Sequence, residues 1–240
     1  MSAPTGALGR RVLAEGLGTG LLVAIVVGAG IAAQRLSPGD TGLQLLESAL
    51  ATGAGLVALI LAFGSVSGAH FNPVVSLADW LLGGLTGGAT AAYLAAQVTG
   101  ACAGCIVANL MFDLAPVTLS DTTRSSSGTW LGEVVATFGL LVVIFGLARS
   151  GRGALAPFAV AAYITAAYWF TSSTSFANPA VTIGRTLTDT FAGIAWSSVP
   201  AFIAFQLVGG ALALVVSRAL HPDLDPDDVV VPHAATGGTP

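Results

Sequence analysis

The sequence predicts an all-α membrane protein, with six transmembrane helices plus two re-entrant half-helices in an inverted 3+3 repeat. Three observations lead there. The 240 residues are 54% hydrophobic and only 8% charged, and the mean hydropathy is +0.84, too apolar for a chain that must clothe its surface in charge. Six apolar windows run at or close to the roughly 20 residues that a bilayer core of about 30 Å demands. Two further apolar pieces, each opening on Asn-Pro, are too short to cross alone.

In chain order, the windows fall at about 11 to 33, 43 to 64, 89 to 112, 130 to 149, 154 to 172 and 196 to 219. The first has no small-residue cleavage site after a short core, so it reads as a retained span and not a removed signal. The short pieces lie at about 72 to 82 and 178 to 187. Gly is frequent, at 31 residues, which suits helices packed backbone to backbone. Cys102 and Cys105 lie three apart in an apolar run, on one helix face; without a second ligand pair they read as small packing residues. A single transmembrane domain is expected over 1–220. The Pro- and Asp-rich stretch 221–240 carries much of the net charge of −4 and reads as a disordered acidic tail.

The two halves, about 10–112 and 129–219, resemble each other. Ala14-Glu15-Gly16 matches Gly132-Glu133-Val134, Asn72-Pro73-Val74 matches Asn178-Pro179-Ala180, and Ala96-Gln97 matches Phe205-Gln206. These landmarks recur in the same order at separations of roughly 106 to 118 residues. Three spans per repeat force the second copy in upside down, which brings the half-helices together from opposite faces. There is no Lys. With both termini in the cytoplasm, Arg10, Arg11, Arg149, Arg152 and Arg218 lie inside and Arg35, Arg124 and Arg185 outside, a bias that favours this orientation.

Asn is a good N-cap and Pro a good first helical residue. If each Asn oxygen caps its own helix, the side-chain NH2 stays free as a donor. Two such donors at the bilayer midplane would hold a water or hydroxyl solute, and two converging helix dipoles would repel cations and protons. Glu15 and Glu133 are intramembrane acids at equivalent repeat positions, read either as a proton relay or, preferably, as acceptors for loop backbone that holds each half-helix. His70, near the mouth of the first half-helix, offers a pH sensor or a plain backbone partner. Tyr168, Trp169 and Phe170 look like an interfacial aromatic belt, and Ser172 to Ser175 form a hydroxyl-rich run toward Asn178. No nucleophile-base pair, phosphate loop or metal-ligand cluster is visible, so an enzyme, a metal, a cofactor and a nucleic-acid partner are not expected.

These residues resemble the aquaporin or major intrinsic protein family over about 13 to 218. The match rests on Ala14-Glu15, the run Ser67 to Val74, Ala96-Gln97, Glu133 and Asn178-Pro179-Ala180. The resemblance implies a homotetramer with one pore per subunit, in a bacterial plasma membrane, passing water or small neutral solutes passively. It places the pore centre at Asn72, Pro73, Val74, Asn178, Pro179 and Ala180. It also marks departures. The family's usual Arg three residues after the second Asn is Val181 here, and gap-free counting puts the other constriction positions at Thr52, Ala166 and Ser175. Together these imply a wide, arginine-free filter, similar to that of channels from arsenic-resistance gene clusters, which pass arsenite or methylated arsenicals. Glycerol would suit the same passage, with water as co-permeant. An ordinary water channel, a transporter coupled to protons through Glu15 or Glu133, and a sealed structural protein are the rivals. Arg185, one turn beyond Val181, either brings a cation to the outer vestibule or snorkels or pairs with Asp189, the second being preferred.

Overall fold

The computed structural model describes residues 7–220. The tail expected at 221–240 lies outside them. Eight α-helices are present among the described residues: α1 Leu8–Leu36, α2 Thr41–Ser67, α3 Pro73–Leu81, α4 Gly87–Met111, α5 Ser127–Arg149, α6 Ala156–Phe170, α7 Pro179–Gly184 and α8 Val199–Leu220. Six helical segments are long and apolar enough to span a membrane, α6 with its leading turn Gly153–Leu155 and α8 with Trp196–Ser198. Helices α3 and α7 are the two half-helices. At 9 and 6 residues they reach only a fraction of the bilayer core at about 1.5 Å per residue.

Local sequence sets the breaks. Asp40 caps α2, its carboxylate accepting from Leu43 N, and Gly68 ends the helix in a left-handed conformation, φ 89°, which glycine adopts without strain. Thr86 caps α4, and Ser126 forms a capping box with Thr129 before α5.

The helices pair as a duplicated chain requires. α1 packs on α4 and α5 on α8, while α3 leans on α4 and α7 on α8. Both long crossings are close. A Cβ at Gly100 or Gly104 would collide with the carbonyl oxygen of Gly16 or Gly20, and one at Gly209 with that of Val134. Gly100 and Gly209 each follow the repeat's Gln by three, and Gly16 and Val134 each follow its Glu by one. Lipid tails are as apolar as these side chains, so close backbone packing supplies the association that water cannot. Leu13, Leu17 and Leu21 on α1, and Leu131 and Val135 on α5, are exposed and form an apolar exterior.

Candidate functional site

At the centre of the bundle, α3 and α7 begin against each other. Asn72 Oδ1 accepts from Val74 N (3.0 Å), and Asn178 Oδ1 accepts from Ala180 N and Val181 N. The expected caps therefore form. The NH2 groups are only half as free as expected. Asn72 Nδ2 donates to Ala177 O and Asn178 Nδ2 to Phe71 O, both at 2.7 Å. Each amide thus spends one N–H on the carbonyl just before the other Asn and keeps its second.

The segments that deliver these Asn residues are strained in parallel. Ala69 and Phe71 in one, and Ser175 and Ala177 in the other, have φ between 47° and 52°, a left-handed conformation costly for residues with a Cβ. Two fully buried carboxylates brace them. Glu15 accepts from Ser67 Oγ, His70 N, Phe71 N and Gln97 Nε2 at 2.6 to 2.9 Å. Glu133 accepts from Phe176 N, Ala177 N and Gln206 Nε2. Gln97 and Gln206 also reach Ser76 and Thr182, one residue type of hydroxyl in each half-helix. Donors surround the oxygens of both carboxyl groups.

A cavity of about 90 Å³ runs past this junction. One wall is aliphatic, with Leu22, Val26, Leu56, Ile60, Leu140, Ile144, Val160 and Ile164; the other carries Gly68 to Asn72 and Ser175 to Asn178. Toward the end remote from the termini it is bordered by Thr52, Tyr168, Val181 and Arg185, with Thr52 Oγ1 and Tyr168 Oη 3.0 Å apart in a hydrogen bond. Arg185 is 5% exposed, donates from Nε to Ala192 O, and stacks its guanidinium 3.5 Å from the Phe176 ring centroid. Near the termini, His70 bonds Ser76 Oγ through Nδ1 and lies 3.7 Å from Asp79 through Nε2.

Comparison with known proteins decides what this architecture is. The family model described as "Major intrinsic protein" matches residues 3–175. The chain belongs to the major intrinsic protein family. Aquaglyceroporin AqpS of Rhizobium meliloti (strain 1021) is 52% identical over 213 residues, 89% of this chain and 91% of that one. Aquaporin AqpM of Methanothermobacter marburgensis is 31% identical over 242 residues, 89% and 98% of the two chains. The X-ray structure of the aquaglyceroporin from Plasmodium falciparum superposes with a TM-score of 0.68 at 20% identity, covering 91% of this chain and 99% of that one; this last likeness concerns the fold alone. As a major intrinsic protein, the chain is an integral membrane channel for small neutral solutes and not an enzyme.

Within this major intrinsic protein, Asn72, Asn178, Thr52, Ser175, Val181, His70 and Arg185 border the cavity, whereas Pro73, Val74, Pro179 and Ala180 lie behind the two Asn residues and do not. Ala166 is exposed on the outside of α6; the α6 residue that borders the cavity beside Thr52 is Tyr168. Two residues turn a helix by roughly 200°, enough to swap the faces. Tyr168 is accordingly no belt residue, whereas Trp169 and Phe170, 51% and 56% exposed, face outward. Arg185 neither snorkels nor pairs with Asp189, which accepts from Ser120 Oγ and Asp121 N instead. The cavity is thus neither arginine-free nor lined only by small residues. Glu15 and Glu133 do not border it.

Proposed function

We propose that the chain is a passive channel for small polyhydroxylated neutral solutes, glycerol and arsenite or methylated arsenicals among them, with water passing alongside. The observation that carries this reading is the two-sided cavity. A polyol presents hydroxyls along one edge and C–H along the other, and here the amides of Asn72 and Asn178 and the loops that lead to them stand against aliphatic side chains of α1, α2, α5 and α6, with the hydroxyls of Thr52 and Tyr168 continuing the α2 and α6 faces at the far end. Val181, where the family usually has Arg, leaves that strip uncharged at its middle. The pore centre is assigned to Asn72-Pro73-Val74 and Asn178-Pro179-Ala180, and the filter to Thr52, Tyr168, Ser175 and Val181 with Arg185 one turn beyond. We assign the chain to the plasma membrane with cytoplasmic termini, supported by the arginine bias and by the relative AqpS being bacterial, and to a homotetramer on the family resemblance alone. Coupled transport is disfavoured, since the oxygens of Glu15 and Glu133 are occupied by donors away from the cavity.

A second reading, a channel restricted to water, draws on Tyr168 and Arg185, whose bulk narrows the far end. Stopped-flow shrinkage of proteoliposomes in glycerol, arsenite and an impermeant osmolyte separates the two. The first reading expects glycerol and arsenite flux well above empty vesicles, and a sharp fall of both in Val181→Arg. Water flux without glycerol or arsenite flux would overturn it.

A further inference from the structure

Above the filter, on the face remote from the termini, lies a second cavity of about 180 Å³. It shares Val26, Tyr168 and Arg185 with the central one, so it is the vestibule of the same passage. Two arginines border it, Arg124 from the loop before α5 and Arg185. Their guanidinium carbons lie 5.2 and 3.5 Å from the same Phe176 ring centroid, which sets them within about 9 Å of each other, inside one Debye length.

Both side chains are fixed by three consecutive carbonyls. Arg124 donates to Phe191 O and Gly193 O, and Arg185 to Ala192 O. A guanidinium has five donors, so each keeps others for the cavity. No ion pair satisfies either one among the described residues. Glu133 is spent on Phe176 N, Ala177 N and Gln206, Asp189 on Ser120 and Asp121, and no carboxylate borders this cavity. A third donor is waiting there: Ser48 is 4% exposed, its Oγ has no hydrogen-bond partner, and it lines the same space.

We propose that this vestibule is a binding site for a small oxyanion, inorganic phosphate being the probe, held between Arg124 and Arg185 with Ser48 donating to a further oxygen. Guanidinium forks match the oxygens of such an anion, and an anion supplies the direct ion pair that neither cation makes, Glu133 acting on them only from a distance. Seated there it lies across the route to Tyr168 and Val181.

Calorimetric titration of inorganic phosphate into the purified full chain, in an uncharged lipid-free detergent at constant ionic strength, tests the site. Saturable binding of one phosphate per chain is expected, weakened about tenfold or more by Arg185→Gln and by a smaller factor by Ser48→Ala. Both arginines also hold the Phe191–Gly193 loop, so Ser48→Ala, which removes no loop contact, separates loss of the site from loosening of the loop. Arg218→Gln, on the opposite face, binds as the native chain does. Absence of saturable binding, or unchanged affinity in Arg185→Gln, overturns the proposal, as does a signal seen only in anionic-lipid vesicles, which assigns the arginines to a headgroup. The readout is binding, so it stands apart from which neutral solute crosses.

Discussion

Replacing Glu15 by Gln changes one oxygen to NH2 and adds almost no volume, so no cavity or overpacking enters and lost hydrogen bonds are set against the relief of burying a neutral group. The carboxylate accepts four of them and donates none. With NH2 on one side, two donors lose their acceptor and meet another donor. A buried donor left unsatisfied costs about 1–3 kcal/mol, giving about 2–6 kcal/mol for two. Part is recovered, because Gln97 Oε1 is buried without a partner and can turn to accept from the new amide, though Gln97 then gives up its bond to Ser76. The net expectation is about 2–4 kcal/mol. At about 2–4 °C per kcal/mol for a chain of this size, the apparent melting temperature falls by roughly 4–16 °C. Size-exclusion recovery after heating detergent-solubilised protein measures it. Glu133→Gln is expected to cost a similar amount, since Gln206 Oε1 is likewise unpartnered and the bonds repeat. A native melting temperature in either variant would refute the bracing role derived for these carboxylates.

The other expectations are specific to single contacts. Gly104→Val puts a branched side chain against the Gly20 carbonyl, and overpacking of this kind costs about 1–3 kcal/mol; the same heating assay reads it, and undiminished recovery would contradict the close crossing. Tyr168→Ala opens the filter beside Thr52, so glycerol flux rises relative to water flux in stopped-flow, and an unchanged ratio would remove Tyr168 from the constriction. Asn72→Ala and Asn178→Ala each break one arm of a shared junction, so the double variant loses less stability than the two single losses summed; strict additivity would mean the arms act independently.

The fold and the meeting of the two half-helices are legible because their signals are local or repeated. Asn-Pro carries its cap and its first-turn residue within two positions, and the recurrence of Glu, Asn-Pro and Gln in both halves revealed the duplication before any contact was known. The filter was less legible. Ala166 comes from counting back without gaps, and on a helix an error of two positions selects the opposite face. Arg185 was found by its i+4 relation to Val181, but one sequence cannot distinguish a cation that leaves the bundle from one buried against Phe176. Nothing in the sequence places Arg124 beside Arg185, because the loop Phe191–Gly193 that holds it is far away in sequence. The bond from each Asn amide to the other repeat's backbone was invisible for the same reason.

Those reciprocal amide bonds say something about how such a chain comes to exist. Each repeat donates to the other what it receives, Asn72 to Ala177 and Asn178 to Phe71, which is the pattern of an isologous contact across a two-fold axis. Two identical half-length subunits, inserted in opposite senses, would make the same pair of bonds by symmetry. Covalent fusion of the halves then adds proximity but no new bond at the junction. The two repeats expressed as separate chains should therefore still find each other in the membrane, with the junction as the place where they lock.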